Sequence, residues 1–173
     1  MRNKLLTNAM LTGAIIILFA FTSCGDKTSK SADAENKTNE QSFDLAAAKK
    51  VVEEGNQSLM DLLKKGDSTG FANLYCSDAK IMAPEGPPVA GRDAIRSLIG
   101  SFVNIGLTDM SLKTIDVWGS EALVGEEGTV RFAFKDGKEY DHGKYIVLWK
   151  MEDGKWKLFR DIFNTDVAPP PAK

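Results

Sequence analysis

The chain has 173 residues, 43% of them hydrophobic, with 22 basic and 24 acidic side chains and a formal net charge of −2. Balanced charge without a basic patch excludes a nucleic-acid partner held by its phosphates. Two cysteines and a single histidine exclude a disulfide-framed domain and any multi-histidine metal site.

Residues 1–23 open with Arg2 and Lys4, continue through the apolar run 14–21 and end in the small pair Thr22-Ser23 before Cys24. That is the three-part layout of a secretory signal peptide. Leu5 to Ser23 is long enough to span a bilayer, but Thr7, Asn8 and Thr12 dilute its first half. Small residues running directly into a cysteine resemble the lipobox of bacterial lipoproteins. The resemblance implies cleavage before Cys24, lipidation of its thiol, and a place in the bacterial cell envelope, anchored to a membrane with the folded part outside the cytoplasm.

Residues 24–42 carry no aliphatic side chain larger than Ala beyond the cysteine, so they cannot bury enough surface to fold and are expected to form a polar tether. Without Arg2 and Lys4 the mature chain keeps 20 basic against 24 acidic residues, a net charge of −4. Residues 43–168 are left for one domain with one core, and 169–173 form a Pro-rich tail. Cys76 is the only thiol of that domain, so no internal disulfide can form, and it reads as a packed small hydrophobe.

Within the domain, Leu45, Ala48, Val52, Leu59 and Leu62/Leu63 recur on one stripe, predicting an amphipathic helix over 44–65. Gly66 suits its end, and Asp67 suits the N-cap of a short helix over 68–75. A strand over 79–83 runs into the turn at 84–88. Ile95, Leu98/Ile99 and Phe102 then mark a third helix that opens at Gly91 and stops by Gly106. Beyond it the period changes to two. Strands are predicted over 107–118, 121–135, 138–151 and 155–165, the last three separated by the hairpin signals Asp136-Gly137 and Asp153-Gly154. Helices first and an antiparallel meander after define an α+β domain.

The order of these elements, with LKKGDSTGFANLYCSDAKIMAPEG, VAGRDAIRSLI and GKYIVLWKMEDGKWKLFRDIFN, resembles the SnoaL-like, ketosteroid-isomerase-like branch of the nuclear-transport-factor-two-like superfamily. The resemblance implies a cone-shaped α+β barrel: three N-terminal helices packed on a curved, mostly antiparallel sheet, with a small-molecule pocket in the mouth. It also implies dimerisation through the outer sheet face in many members.

The isomerase itself uses a carboxylate base and two hydrogen-bond donors. Alignment on the shared motifs puts Ala83 at the base position and Leu59 at that of a donor tyrosine, and neither side chain can move a proton. The other protonated donor falls near Tyr145 or Ile146.

Polar equipment remains on the strands. Glu126 shares the phase of Val124, Val130 and Phe132, so it either lines a cavity or sits at a bulge by Gly125 and Gly128. Tyr145, Val147 and Trp149 share one face of the next strand. Asp141 and His142, being neighbours, point to opposite faces of a regular strand. The resemblance points to Asp161 and Asn164 as cavity residues, and Asp161 competes with an ion pair at the sheet surface.

Candidate catalytic groups are therefore Asp161 with Tyr145 or His142 as donor, and candidate ligand contacts are Glu126, Phe132, Trp149 and Asn164. No cofactor or metal motif is present: there is no nucleophile elbow, phosphate-binding loop or dinucleotide fingerprint. Three functions stay open: a binder of a small, largely apolar ligand, an acid–base enzyme of isomerase, cyclase or dehydratase type, and an accessory lipoprotein whose cone is filled by its own side chains.

Overall fold

The computed structural model describes residues 43–168; the signal segment, Cys24, the tether and the Pro-rich tail lie outside them. Helix α1 spans Leu45–Lys65. The Asp44 carboxylate caps it by accepting from the Ala47 N–H, and Lys64 and Lys65 lie in its last turn, where cations complement the helix dipole. Its buried stripe is Ala48, Val52, Asn56, Leu59 and Leu63, with a polar residue at the centre. Helix α2 spans Ser68–Asn73, capped by Asp67.

Strand β1 follows at once over Tyr75–Met82, four residues earlier than the sequence pattern places it. Tertiary hydrogen bonds account for the shift. The Leu158 N–H donates to the Leu74 carbonyl, and the Arg92 guanidinium donates to that of Tyr75, so the segment is drawn into the sheet before helical propensity can extend α2. A two-residue strand β2, Val89–Ala90, pairs back on β1. Helix α3 covers Arg92–Asn104. The meander follows as β3 Asp109–Gly119, β4 Val124–Ala133, β5 Glu139–Glu152 and β6 Lys155–Thr165.

The six strands form one sheet in the order β2-β1-β6-β5-β4-β3, antiparallel except for the parallel pair β1–β6. The β5–β6 turn holds Asp153 at φ 54° and Gly154 at φ 73°, the double positive φ that a two-residue hairpin of this twist requires. Register shifts at Thr114/Asp116, Phe132/Ala133 and Leu148/Trp149 interrupt the ladders, as bulges that bend a sheet do. The sheet curves, and the helices close its concave face into a cone, the α+β architecture expected from the sequence.

One core packs within the concavity, built from Val52, Leu59 and Leu63 of α1, Phe71 of α2, Ile95 and Ile99 of α3, and the inward residues of the strands. Cys76 is fully buried within it, and burial pushes its thiol pKa up, away from reactivity. None of the helices among the described residues is long and apolar enough to cross a membrane.

Candidate functional site

Between the helices and the sheet lies a cavity whose wall is mostly aliphatic and aromatic. Leu59 and Leu63 of α1, Phe71 of α2 and Leu98, Ile99 and Phe102 of α3 form one side. Met110, Leu112, Val130, Phe132, Val147, Leu158 and Phe163 of the sheet form the other. The free space is about 70 Å³ for the centres of water-sized spheres. That is room for a handful of waters or a small organic molecule, since one water takes roughly 10–15 Å³ on this measure. Phe132 and Phe163 meet across β4 and β6 with ring centroids 5.6 Å apart. Leu59 and Ala83 both line the cavity, so the positions where the isomerase resemblance puts a donor and a base offer only hydrocarbon to anything inside.

Four polar residues reach the cavity: Asn56, Tyr75, Tyr145 and Asp161. On the β6 wall, half-buried Asp161 accepts a 2.7 Å hydrogen bond from the Tyr75 hydroxyl through Oδ2, while Oδ1, which keeps some accessible surface, has no hydrogen bond among the described residues. Burial among apolar neighbours raises the Asp161 carboxyl to about 6; the Tyr75 hydrogen bond pulls it down, and the negative charge of Glu126 pushes it further up. Tyr75 is itself driven well above the usual phenol range, by burial first and then by the Asp161 charge. Arg160, the neighbour of Asp161, points to the opposite face, stacking on Phe159 and donating to the Asp78 carbonyl. The surface ion pair that competed for Asp161 is therefore not formed.

At the closed end Glu126 projects inward from β4 with no exposed surface. Its Oε1 accepts from Tyr145 Oη at 2.7 Å, Thr114 Oγ1 at 2.8 Å and Asn56 Nδ2 at 2.5 Å, and its Oε2 accepts from Trp149 Nε1 at 3.0 Å. Of the two sequence alternatives for Glu126, the inward one is realised, but as a satisfied network behind the cavity. Two close approaches make it possible. A side chain at Gly128 would place its Cβ 2.3 Å from the Tyr145 ring, and one at Gly55 would meet the Trp149 ring at 2.6 Å. Burial and then the Glu126 charge raise the Tyr145 phenol, so it stays a donor.

Other candidates lie elsewhere. Trp149 is buried behind Glu126 and does not line the cavity; its edge borders a separate surface groove with Gly55 and Trp156. His142 sits on the exposed stretch of β5 with Nδ1 against Glu139 at 2.8 Å, away from Asp161 and Tyr145. Asn164 faces outward into a shallow groove with Glu127, Lys144 and Ile162. Three residues after Asp161 on an alternating strand, it falls on the opposite face.

The groups that sequence reasoning missed are Tyr75, Asn56 and Thr114. The helix expected over 68–75 puts Tyr75 at a helix end, which hides its partner. Asn56 had a visible signal, since it fills the stripe position between Val52 and Leu59.

Cys76, Asp78 and Glu152 also bring possible metal-ligand atoms within 4.8 Å of one another. Their carboxylates are already engaged, however: Asp78 by Lys150, and Glu152 by Arg92, Lys157 and the Ser77 N–H and hydroxyl. The Ser77 N–H is the largest of the influences that hold Glu152 down at about 2. This cluster is an ion-pair lock between β1, α3 and the β5–β6 turn.

A profile of the SnoaL-like domain family matches residues 57–159. No curated protein matches the chain. Among solved structures, a nuclear-transport-factor-two-like protein with a cystatin-like fold from Novosphingobium aromaticivorans superposes with a TM-score of 0.64 at 15% identity, over 70% of this chain and 84% of that one. A cystatin-like domain of unknown function from Nostoc punctiforme gives 0.63 at 13% identity, over 70% and 79%. A ketosteroid isomerase-like protein from Erwinia carotovora atroseptica gives 0.58 at 19% identity, over 75% and 99%. At these identities the structural likeness speaks for the fold.

Proposed function

Because the chain belongs to the SnoaL-like domain family, within a superfamily that includes isomerases and dehydratases, we propose that its cone holds a small, largely apolar molecule, and that a lipid on Cys24 keeps the domain outside the cytoplasm in the bacterial cell envelope. The observation that carries the reading is the combination of free space, an apolar wall and a carboxylate with one unpartnered oxygen. A cone filled by its own side chains is at odds with that space. Native mass spectrometry of the chain purified from its own cells tests it: a bound small molecule that Leu98→Trp in the cavity wall eliminates is the expected result, and an empty cone in every preparation would refute it. For the anchor, metabolic labelling with an alkynyl fatty acid should mark the wild-type chain and not Cys24→Ala.

A second reading, acid–base catalysis, is favoured by one observation: the Asp161 carboxyl at about 6 is mostly ionised at neutral pH yet close enough to take and return a proton. Asp161→Asn decides between the two. Unchanged ligand affinity with lost turnover makes Asp161 a base, and no turnover of any bound compound by the parent leaves binding alone. For self-association, Trp118, Ile146 and Ile162 supply exposed apolar surface on the outer sheet face. Ile146→Lys should convert a dimer to a monomer in light scattering, and a wild-type monomer removes that part of the proposal.

A further inference from the structure

The two carboxylates on the concave face, fully buried Glu126 and half-buried Asp161, lack a counter-ion. No lysine, arginine or histidine lines the cavity, and neither Asp161 nor Glu126 makes a salt bridge among the described residues, whereas Glu152, also little exposed, has both Arg92 and Lys157. Acidic groups taken out of water are normally paired with a cation or hydrogen-bonded on every lone pair. Glu126 comes close to the second condition, with three donors on Oε1 and one on Oε2. Asp161 meets neither, having one donor and a bare Oδ1.

The hydroxyl protons facing the cavity are also committed. Tyr75 donates to Asp161, and Tyr145 donates to Glu126 while accepting from Asn56, so neither phenol has a proton left for a ligand. A ligand there meets acceptors and must bring its own donors. Glu126 lies near enough for its charge to be felt at Asp161, which makes the interior doubly unfavourable for an anion. The remaining wall offers the faces and edges of Phe71, Phe102, Phe132 and Phe163, surfaces that attract a cation as well as an apolar body.

Building on the binding reading above, we propose that the cavity selects a small apolar ammonium ion: the N–H groups donate to Asp161 Oδ1 and the Tyr75 oxygen, and the hydrocarbon part lies against Phe132 and Phe163. The ligand supplies the positive charge that the fold withholds. Carboxylic acids of the same size are excluded by the same arrangement.

Three probes of matched size and different charge test this by isothermal titration calorimetry on the full-length chain in detergent at pH 7.5: 2-phenylethylamine, 2-phenylethanol and phenylacetate. The amine is expected to bind at least tenfold tighter than the alcohol, with no binding of the acid. Asp161→Asn should weaken the amine tenfold or more and leave the alcohol within twofold. Uptake of probes by the micelle is the same for both proteins and cancels in that comparison. Equal binding of amine and alcohol, or an amine preference that survives Asp161→Asn, overturns the selectivity for a cation while leaving the binding reading in place. Failure of all three probes to bind overturns the ammonium proposal, and the native mass spectrometry above then decides the binding reading by itself.

Discussion

Glu126 on β4 and Asp161 on β6 project from the concave side of one sheet and are served very differently. Glu126 has four donors, one each from α1 and β3 and two from β5, and no contact with free space. Asp161 has one donor and an oxygen left over in an apolar wall. The contrast separates a carboxylate that holds the fold from one that waits for a ligand. A buried acid hydrogen-bonded on both oxygens stabilises the elements that supply the donors. One with spare capacity is a standing electrostatic cost unless something arrives to relieve it.

Removing each group should therefore move stability in opposite directions. The largest effect is expected from Glu126→Ala, which strands donors on α1, β3 and β5 and opens a hole. A loss of about 4 kcal/mol is expected in denaturant unfolding, and a loss below about 1 kcal/mol would mean that the network is dispensable. Gly128→Ala attacks the same network indirectly, by pushing a methyl group into the Tyr145 ring. Overpacking of this kind should cost about 3 kcal/mol and perturb the tyrosine signal in near-ultraviolet circular dichroism.

Asp161→Asn is expected to stabilise the ligand-free protein, by about 3 kcal/mol at pH 8. The sign follows from its carboxyl standing at about 6 in the folded chain against an ordinary value of 3.8. The native state holds the proton more tightly, so this contribution favours folding most below about pH 4, falls away as pH rises to about 6 and is flat above that. Subtracting the Asp161→Asn stability profile from that of wild type should isolate this slope; a flat difference would mean that Asp161 titrates normally. The smallest effect belongs to Tyr75→Phe, which removes the one donor on Asp161. A loss of about 1 kcal/mol is expected, together with an upward movement of the Asp161 titration when followed by NMR.

The architecture was legible because it is written in periods. Apolar spacing along α1 and α3, alternation along β3–β6 and the Asp153-Gly154 turn each report on neighbours in the chain. The face of a strand was legible for the same reason: Tyr145, Val147 and Trp149 all turn inward. Depth was not. Whether an inward residue borders the open space, like Tyr145, or is sealed behind it, like Trp149, depends on how close α1 lies, and Gly55 sets that distance. The Tyr75–Asp161 bond links residues 86 positions apart through a parallel pairing that no local pattern announces. Asn164 shows the opposite lesson, for the strand's own alternation argued against the place that family resemblance suggested for it.

That parallel pairing also bears on how the chain is completed. Tyr75–Met82 lies idle on its inner side until Lys155–Thr165 exists to pair with it, with Lys80 opposite Arg160 and Ile81 opposite Asp161. Contacts so distant along the chain form late and slowly. A polypeptide made or threaded from its N-terminus can assemble the helices and the hairpins of β3 to β5 while the wall bearing Asp161 is still missing. A copy cut short before β6 therefore has a pocket wall without its carboxylate.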